Sequence, residues 1–277
     1  DQVAIRIPMR ANALFVDLLE SAQATLRHAG FQTLIGVTHY DSHEEEQLLR
    51  EQLLHRPAGL LVTGLDHSPA TRQLIWRSGV PCVHLMDLPG EDPADRPQSA
   101  THCVGFRQVD AGAALTRHLL AKGHRRIAFA AAQLDPRVMQ RLQGWRLALQ
   151  EAGLYAPTLE WLNPASSSLA LGAVLFEQIL QQTPAVDAIF FCNDDLAQGA
   201  LLAAMRRGIR VPQQIAIAGF NDLTGSDQMV PPLTTVRTPR AQIGEAAAQM
   251  LLTLIRGEAV PQPLLDLGFE IVERASA

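Results

Sequence analysis

An α/β fold carrying parallel sheets in two halves is what this sequence predicts. Short β-branched runs alternate with amphipathic helical stretches along nearly the whole chain, which is the pattern of a parallel sheet covered by helices. That rhythm stops in a Pro-, Gly-, Asp- and Ser-rich stretch at residues 87–100 and restarts near residue 104, as two similar halves would. The length of 277 residues, 47% of them hydrophobic, is long for one domain and comfortable for two.

In the first half, residues 3–7 read as a strand and 13–28 as a helix, with Gly30 where a C-terminal cap belongs. Strand 31–37, helix 44–54, strand 59–63, helix 70–78 and strand 81–85 follow. The second half begins with strand 103–106 and a helix at 109–122 that stops at Gly123. Strand 127–131 and a helix at 141–152 ending at Gly153 come next. Strands at 159–162, 188–191 and 215–218 enclose helices at 169–181 and 196–207. After Pro231-Pro232 come strand 234–237, helix 242–256 and one extended run, 264–272. Parallel sheets bind ligands beyond the carboxyl ends of their strands. Two such sheets facing each other would put loops 8–12, 64–68, 86–90, 133–141, 193–195 and 219–223 around one crevice.

Composition excludes several functions. The net charge is −5, and Lys122 is the only lysine. The densest basic run, Lys122-Gly123-His124-Arg125-Arg126, also contains a helix stop. Binding to DNA phosphates needs clustered positive charge, so this polypeptide by itself is not expected to hold DNA. No apolar run approaches the roughly 18 residues of a membrane span, so no membrane partner is expected. Cys82, Cys103 and Cys192 are scattered, odd in number and set in apolar stretches, as free thiols in a reducing, cytoplasmic compartment would be. The chain starts at Asp1 with no signal-peptide pattern; removal of a preceding segment and a chosen boundary both fit.

Enzyme signatures are lacking. No G-x-G-x-x-G follows a strand, and neither a phosphate loop nor a G-x-S-x-G elbow occurs. His39 and His43 lack the H-E-x-x-H arrangement and read as a solvated helix start. Asn193-Asp194-Asp195 and Asn221-Asp222 could supply an acid–base pair or cap the helices that follow strands. No catalysis, metal or cofactor is expected.

Four segments, in order and at compatible spacings, resemble the LacI/GalR family of transcriptional repressors across essentially the whole chain. Gly219-Phe220-Asn221-Asp222, followed by Pro231-Pro232-Leu233-Thr234-Thr235-Val236, resembles its "G-[YF]-D-D … P-x-L-T-T-[VI]" stretch. Gly123-His124-Arg125-Arg126-Ile127-Ala128 is similar to "G-H-R-R-I-A". Arg141-Leu142-Gln143-Gly144-Trp145 is similar to "R-x-x-G-[FWY]", and Asn193-Asp194 with Ala197, Gly199 and Ala200 to "N-D-x-x-A-x-G-A". Shorter cues resemble the gluconate-operon-repressor branch, which responds to sugar acids. They are Leu61-Val62-Thr63-Gly64 with His67, Met86-Asp87-Leu88, Val104-Gly105-Phe106 and Asp135-Pro136-Arg137.

The resemblance implies two Rossmann-like subdomains in a periplasmic-binding-protein-like arrangement, joined by three crossovers near residues 104, 234 and 264. The first would take residues 1–104 plus 235–263, and the second 105–234 plus 264–277. It also implies a homodimer, or a tetramer built from it, and a DNA-reading helix-turn-helix headpiece before residue 1. Operator DNA would be the partner of that headpiece, and a small sugar acid or sugar the effector of this chain.

It implies the site residues as well. Arg141 matches the effector-binding arginine, whose fork can bind a carboxylate or paired hydroxyls bidentately; a surface arginine at a helix start is the plain alternative. Arg137 would add to an anion site or be a solvated loop charge. Asn193 matches the strand-end asparagine that can donate to and accept from a hydroxyl, and it could equally cap a helix. Asn221 stands where many members carry Asp, and a neutral amide avoids repelling an acidic ligand. Asp87 matches the crevice aspartate or is an ordinary loop start. His84 reads as a core histidine, whereas His67 could face the crevice. Met9 and Arg10 fall in the loop that usually reads Ser-Leu-x-Asn, and Arg10 would add a cation there. Ser168 replaces an aromatic that stacks on the effector, giving a roomier pocket or a hydroxyl contact. Trp145 and Trp161 read as core or pocket wall.

The reading is a ligand-switched repressor, in which the effector favours one orientation of the halves and so alters operator binding. A periplasmic sugar-binding protein feeding a transporter shares the two-lobed fold and is the alternative. The three unpaired cysteines and the repressor-like stretches stand against it.

Overall fold

The computed structural model describes residues 1–8, 13–90 and 102–277. In chain order the elements are β1 (Gln2–Ile7), α1 (Ala13–His28), β2 (Gln32–Val37), α2 (Ser42–Leu54), β3 (Gly59–Thr63), α3 (Pro69–Ser78), β4 (Cys82–Met86) and β5 (Cys103–Gly105). Then come α4 (Gln108–Ala121), β6 (Ile127–Ala132), α5 (Pro136–Glu151), β7 (Glu160–Asn163), α6 (Leu169–Gln182), β8 (Ala188–Phe191), α7 (Asp194–Arg207) and β9 (Ala216–Ala218). The chain closes with β10 (Thr235–Arg237), α8 (Arg240–Ile255), β11 (Leu264–Asp266) and β12 (Glu270–Val272). No described helix is long and apolar enough to cross a membrane.

These elements form two compact units. One contains Asp1–Arg107 with Pro239–Gly268, and the other Gln108–Thr238 with Phe269–Ala277. The first holds a parallel sheet in the order β11-β5-β4-β3-β1-β2, and the second one in the order β7-β6-β8-β9. In both, the second strand in sequence lies outside the first and the third lies on the first strand's other side. The chain therefore reverses its direction of winding between β1 and β3, and again between β6 and β8. A parallel sheet opens a ligand crevice beyond its carboxyl ends at such a point. A short antiparallel ribbon, β10 with β12, completes the second unit.

The helices form because their apolar residues recur on one face. In α1, Leu14, Leu18, Ala22 and Leu26 repeat every fourth residue and are buried with Phe15. In the first unit, Leu49 from α2 and Ile75 from α3 close over Ala4, Leu60 and Val62 of the sheet. Caps mark the starts: Asp41 accepts from the amides of His43 and Glu44, and Ser68 from that of Thr71.

Two expectations are corrected. The helix expected at 141–152 starts five residues earlier, with Pro136 in its first turn and the Asp135 carboxylate accepting from Val138 N at 3.1 Å. Arg141 therefore lies inside the helix and not at its start. The single run at 264–272 is two strands separated by Gly268, which sits at φ 69°. Residues 264–268 belong to the first unit, where the expected boundaries put them in the second. The cause is the open edge of β5: Cys103 N donates to Pro263 O at 2.8 Å and Leu267 N to Gly105 O at 2.9 Å, completing a ladder no local pattern announces.

In the second unit the helices pair at glycines. A Cβ on Gly144 would fall 2.1 Å from Val109 O, and one on Gly112 2.5 Å from Arg141 O. The same arrangement joins α6 to α7, where a Cβ on Gly172 would fall 2.0 Å from Leu196 O and one on Gly199 1.9 Å from Leu169 O. The glycines of the R-x-x-G and A-x-G-A motifs are thus contact points of backbone on backbone. In an unconstrained helix Gly→Ala gains roughly 0.5–1 kcal/mol. Gly144→Ala is expected to do the reverse, costing about 1–3 kcal/mol through forced separation of the helices, read as a lower urea midpoint at unchanged slope.

Candidate functional site

In the second unit the relevant residues follow β6, β8 and β9, around the point where the winding reverses. Helix α5 follows β6, and Cβ atoms on a helix tilt toward its N-terminus. Arg137 and Arg141 are one turn apart on α5, share a face and are both buried. Arg141 Nε donates to Gln108 Oε1 at 3.0 Å, and Nη1 donates to Cys192 O, just past β8, at 2.8 Å. Its guanidinium carbon lies 4.0 Å from the centre of the Phe220 ring, within cation–π range. The guanidinium plane is therefore fixed by an amide, a carbonyl and an aromatic face, contributed by α4, the end of β8 and the end of β9.

Asn193 and Asn221 meet directly. Asn221 Nδ2 donates to Asn193 Oδ1 at 2.9 Å, and Thr238 Oγ1 donates to Asn221 Oδ1 at 3.3 Å. Although Asn193 sits at the start of α7, its side chain makes no cap hydrogen bond, and its oxygen accepts from Asn221 instead. Asn221 is at φ 97° and Asp222 at φ 53°, backbone that asparagine and aspartate tolerate better than other non-glycine residues. Asn221 N donates to Val236 O at 2.9 Å. The Asp222 carboxylate accepts from Arg237 Nε at 2.9 Å and Arg274 Nη1 at 2.7 Å. This turn is thereby tied to β10 and to the chain's last residues.

Ser168 is exposed, and its hydroxyl accepts from Leu171 N at 3.0 Å as the cap of α6. Its neighbour Ser167 reaches the Asp195 carboxylate, donating at 2.7 Å. Trp145 is wholly buried against Phe129 and Tyr155 and serves the core. Two residues of this site were not singled out from the sequence. Phe220 lay within a quoted motif without a role, and Gln108 gave no signal, because a polar residue in the first turn of a helix is ordinarily solvated.

In the first unit, Asp87 follows β4 and is buried. A Cβ on Gly105 would lie 2.4 Å from Met86 O, so β5 presses against the turn that carries it. His67 follows β3. Its Nδ1 faces Glu45 Oε1 at 2.5 Å and its Nε2 faces Gly64 O at 2.9 Å, so both ring nitrogens are engaged within the unit. His84 is the buried core histidine expected, its Nδ1 3.0 Å from the same carbonyl. Arg6 of β1 donates to the backbone carbonyl of Glu45. Burial pulls its pKa below the ordinary value, against the opposing pull of the Glu45 carboxylate. Met9 and Arg10 lie outside the described residues. The structure thus brings Arg137, Arg141, Asn193 and Asn221 into one unit with Gln108, and Asp87 and His67 into the other.

Asp194, adjacent to Asn193, is fully buried. It accepts from Ser226 Oγ, from Thr235 Oγ1 at 2.7 Å and from Leu223 N at 2.8 Å. A Cβ on Gly219 would sit 2.2 Å from Asp194 Oδ1, which explains the glycine that opens the G-F-N-D turn. Burial pushes the Asp194 carboxyl up to about 7 despite these three donors. A carboxyl raised above its unfolded value stabilises the fold when protonated. Its contribution is complete below about pH 4 and is lost as pH rises through about 7. In urea denaturation, the stability advantage of the wild type over Asp194→Asn is expected to shrink between pH 5 and pH 8; a constant difference would contradict this.

A family model of periplasmic binding protein-like domains matches residues 116–277. The chain is 52% identical over 274 residues to the HTH-type transcriptional regulator GntR of Pseudomonas aeruginosa, covering 99% of this chain and 78% of that protein. Among solved structures, transcription regulator GntR from Chromobacterium violaceum is 48% identical with a TM-score of 0.94, covering 100% of this chain and 99% of that one. A LacI family regulator from Silicibacter pomeroyi is 30% identical with a TM-score of 0.91, covering 99% of this chain and 81% of that one. These relatives are transcriptional regulators and not enzymes. The chain belongs to the periplasmic binding protein-like family and is the effector-binding core of a LacI-family transcriptional regulator.

Proposed function

We propose that this core senses a small sugar acid of the gluconate or 2-ketogluconate type, and that its occupancy alters the regulator's affinity for operator DNA. The observation that carries the reading is the pair of buried arginines, Arg137 and Arg141, set one turn apart beside the linked amides of Asn193 and Asn221. A guanidinium fork matches a carboxylate bidentately. The amides, each with donor and acceptor atoms, suit the hydroxyls of a polyol chain. The neutral side chain at Asn221 favours an acid over a neutral sugar, because a carboxylate there would repel one. Ser168, at the start of α6 of the same unit, is a further proposed contact.

Operator contact would come through a helix-turn-helix segment, with the regulator acting as a cytoplasmic homodimer. Cys103 and Cys192 are buried, and burial pushes their thiols up to about 12, which suits a reducing compartment. A coupling of about 1–3 kcal/mol between effector and operator is the usual range for such switches.

Thermal denaturation in the presence of aldonic acids, 2-ketoaldonic acids and neutral sugars tests the reading. At a hundredfold excess over Kd, ligand stabilisation of about 2.7 kcal/mol is expected to raise Tm by roughly 5–10 °C for at least one acid. A response to neutral hexoses or pentoses alone would overturn the sugar-acid reading. Arg141→Ala is expected to abolish the shift. Arg141→Lys, which keeps the charge without the fork, is expected to weaken acid binding at least about tenfold, measured by calorimetric titration.

A further inference from the structure

Gln108 holds an unusual place in the second unit. It is 1% exposed, at the first position of α4, where the close approach of Gly112 and Gly144 sets that helix against α5. Its Oε1 accepts from Arg141 Nε at 3.0 Å, while its Nε2 is buried without a hydrogen-bond partner. A buried amide nitrogen with two unused hydrogens is costly, and native structures tolerate such a group mainly where a ligand or a function requires it. The group is bonded through its own oxygen to the arginine at the centre of the proposed effector site.

We infer that Gln108 is a specificity-determining residue of that site, whose amide nitrogen donates to the acidic group of the effector beside Arg141. The inference rests on the sugar-acid reading and deepens it. One planar amide performs two tasks. Its oxygen holds the guanidinium at Nε, while the Cys192 carbonyl holds it at Nη1. Its nitrogen supplies a further donor on the group that holds the guanidinium. A carboxylate has about four lone-pair sites and accepts from both groups together. A neutral hydroxyl in the same place gains less, because hydrogen bonds to an ionised acceptor are about twice as strong.

Gln108→Glu separates the two tasks. The glutamate keeps an acceptor for Arg141 Nε, but its second oxygen replaces the donor and repels an acid. D-Gluconate and D-glucose serve as probes in calorimetric titrations of wild type and variant. A second measurement on the wild type uses the chain labelled with 15N at glutamine, following the Gln108 side-chain amide resonance, assigned by its loss in Gln108→Met. The expected result is gluconate binding at least ten times weaker in Gln108→Glu, with a shift of the wild-type Gln108 amide resonance on saturation. Gluconate binding within twofold of wild type in Gln108→Glu, or an amide resonance that gluconate leaves in place, overturns the inference while the sugar-acid reading stands. A wild type that binds glucose and no gluconate overturns both.

Discussion

Burial of the Arg141 guanidinium is the constraint around which the second unit is arranged. A cation removed from water is expensive unless its hydrogens are taken up in good geometry. Three separate elements meet that demand: Gln108 from α4, the Cys192 carbonyl at the end of β8 and the Phe220 face after β9. None of the three is close to Arg141 in sequence. They converge because β6, β8 and β9 lie side by side and parallel, so the segments leaving their carboxyl ends emerge on one edge. The glycine contacts at 112 and 144 then bring α4 near enough for an amide on one helix to reach an arginine on the next.

The residues beside the arginine obey a related rule. Asp194 is buried and raised to about 7, yet hydroxyl and amide donors surround it, and those donors sit on Leu223, Ser226 and Thr235. The carboxyl thereby stitches the start of α7 to the turn after β9 and to β10. Asn221 stands in that turn with left-handed backbone, its amide bridging Asn193 and Thr238. Backbone of this kind persists only where neighbours hold it from several sides. The polar groups proposed to meet the effector are thus held by the same bonds that keep the end of the sheet together.

Legibility followed the range of the interaction. Helix α1 was readable to its ends, because a fourfold apolar repeat and a following Gly30 are local signals. The start of α5 was missed although Asp135-Pro136 is itself a start signal, since the motif arginine at 141 drew the boundary toward itself. The run at 264–272 looked continuous because β-branched and apolar residues fill it; Gly268 and the open edge of β5 divide it between the two units. Ser168 caps α6, while the neighbouring Ser167 turns inward to Asp195. Adjacent serines cannot be told apart until the chain's direction at the helix start is known.

By itself the sequence determined the class of fold, the alternation of strands and helices, and the regulator family, because periodicity, caps and short motifs act over a few residues and survive without a partner in view. The tertiary structure alone decided that Gln108, 33 residues from Arg141, shares its guanidinium, that the motif glycines are contacts between helix backbones, and that burial raises the Asp194 carboxyl above the ordinary range. Desolvation and hydrogen-bond pairing depend on which groups are neighbours in space, and a strand order that crosses back on itself sets those neighbours independently of distance along the chain.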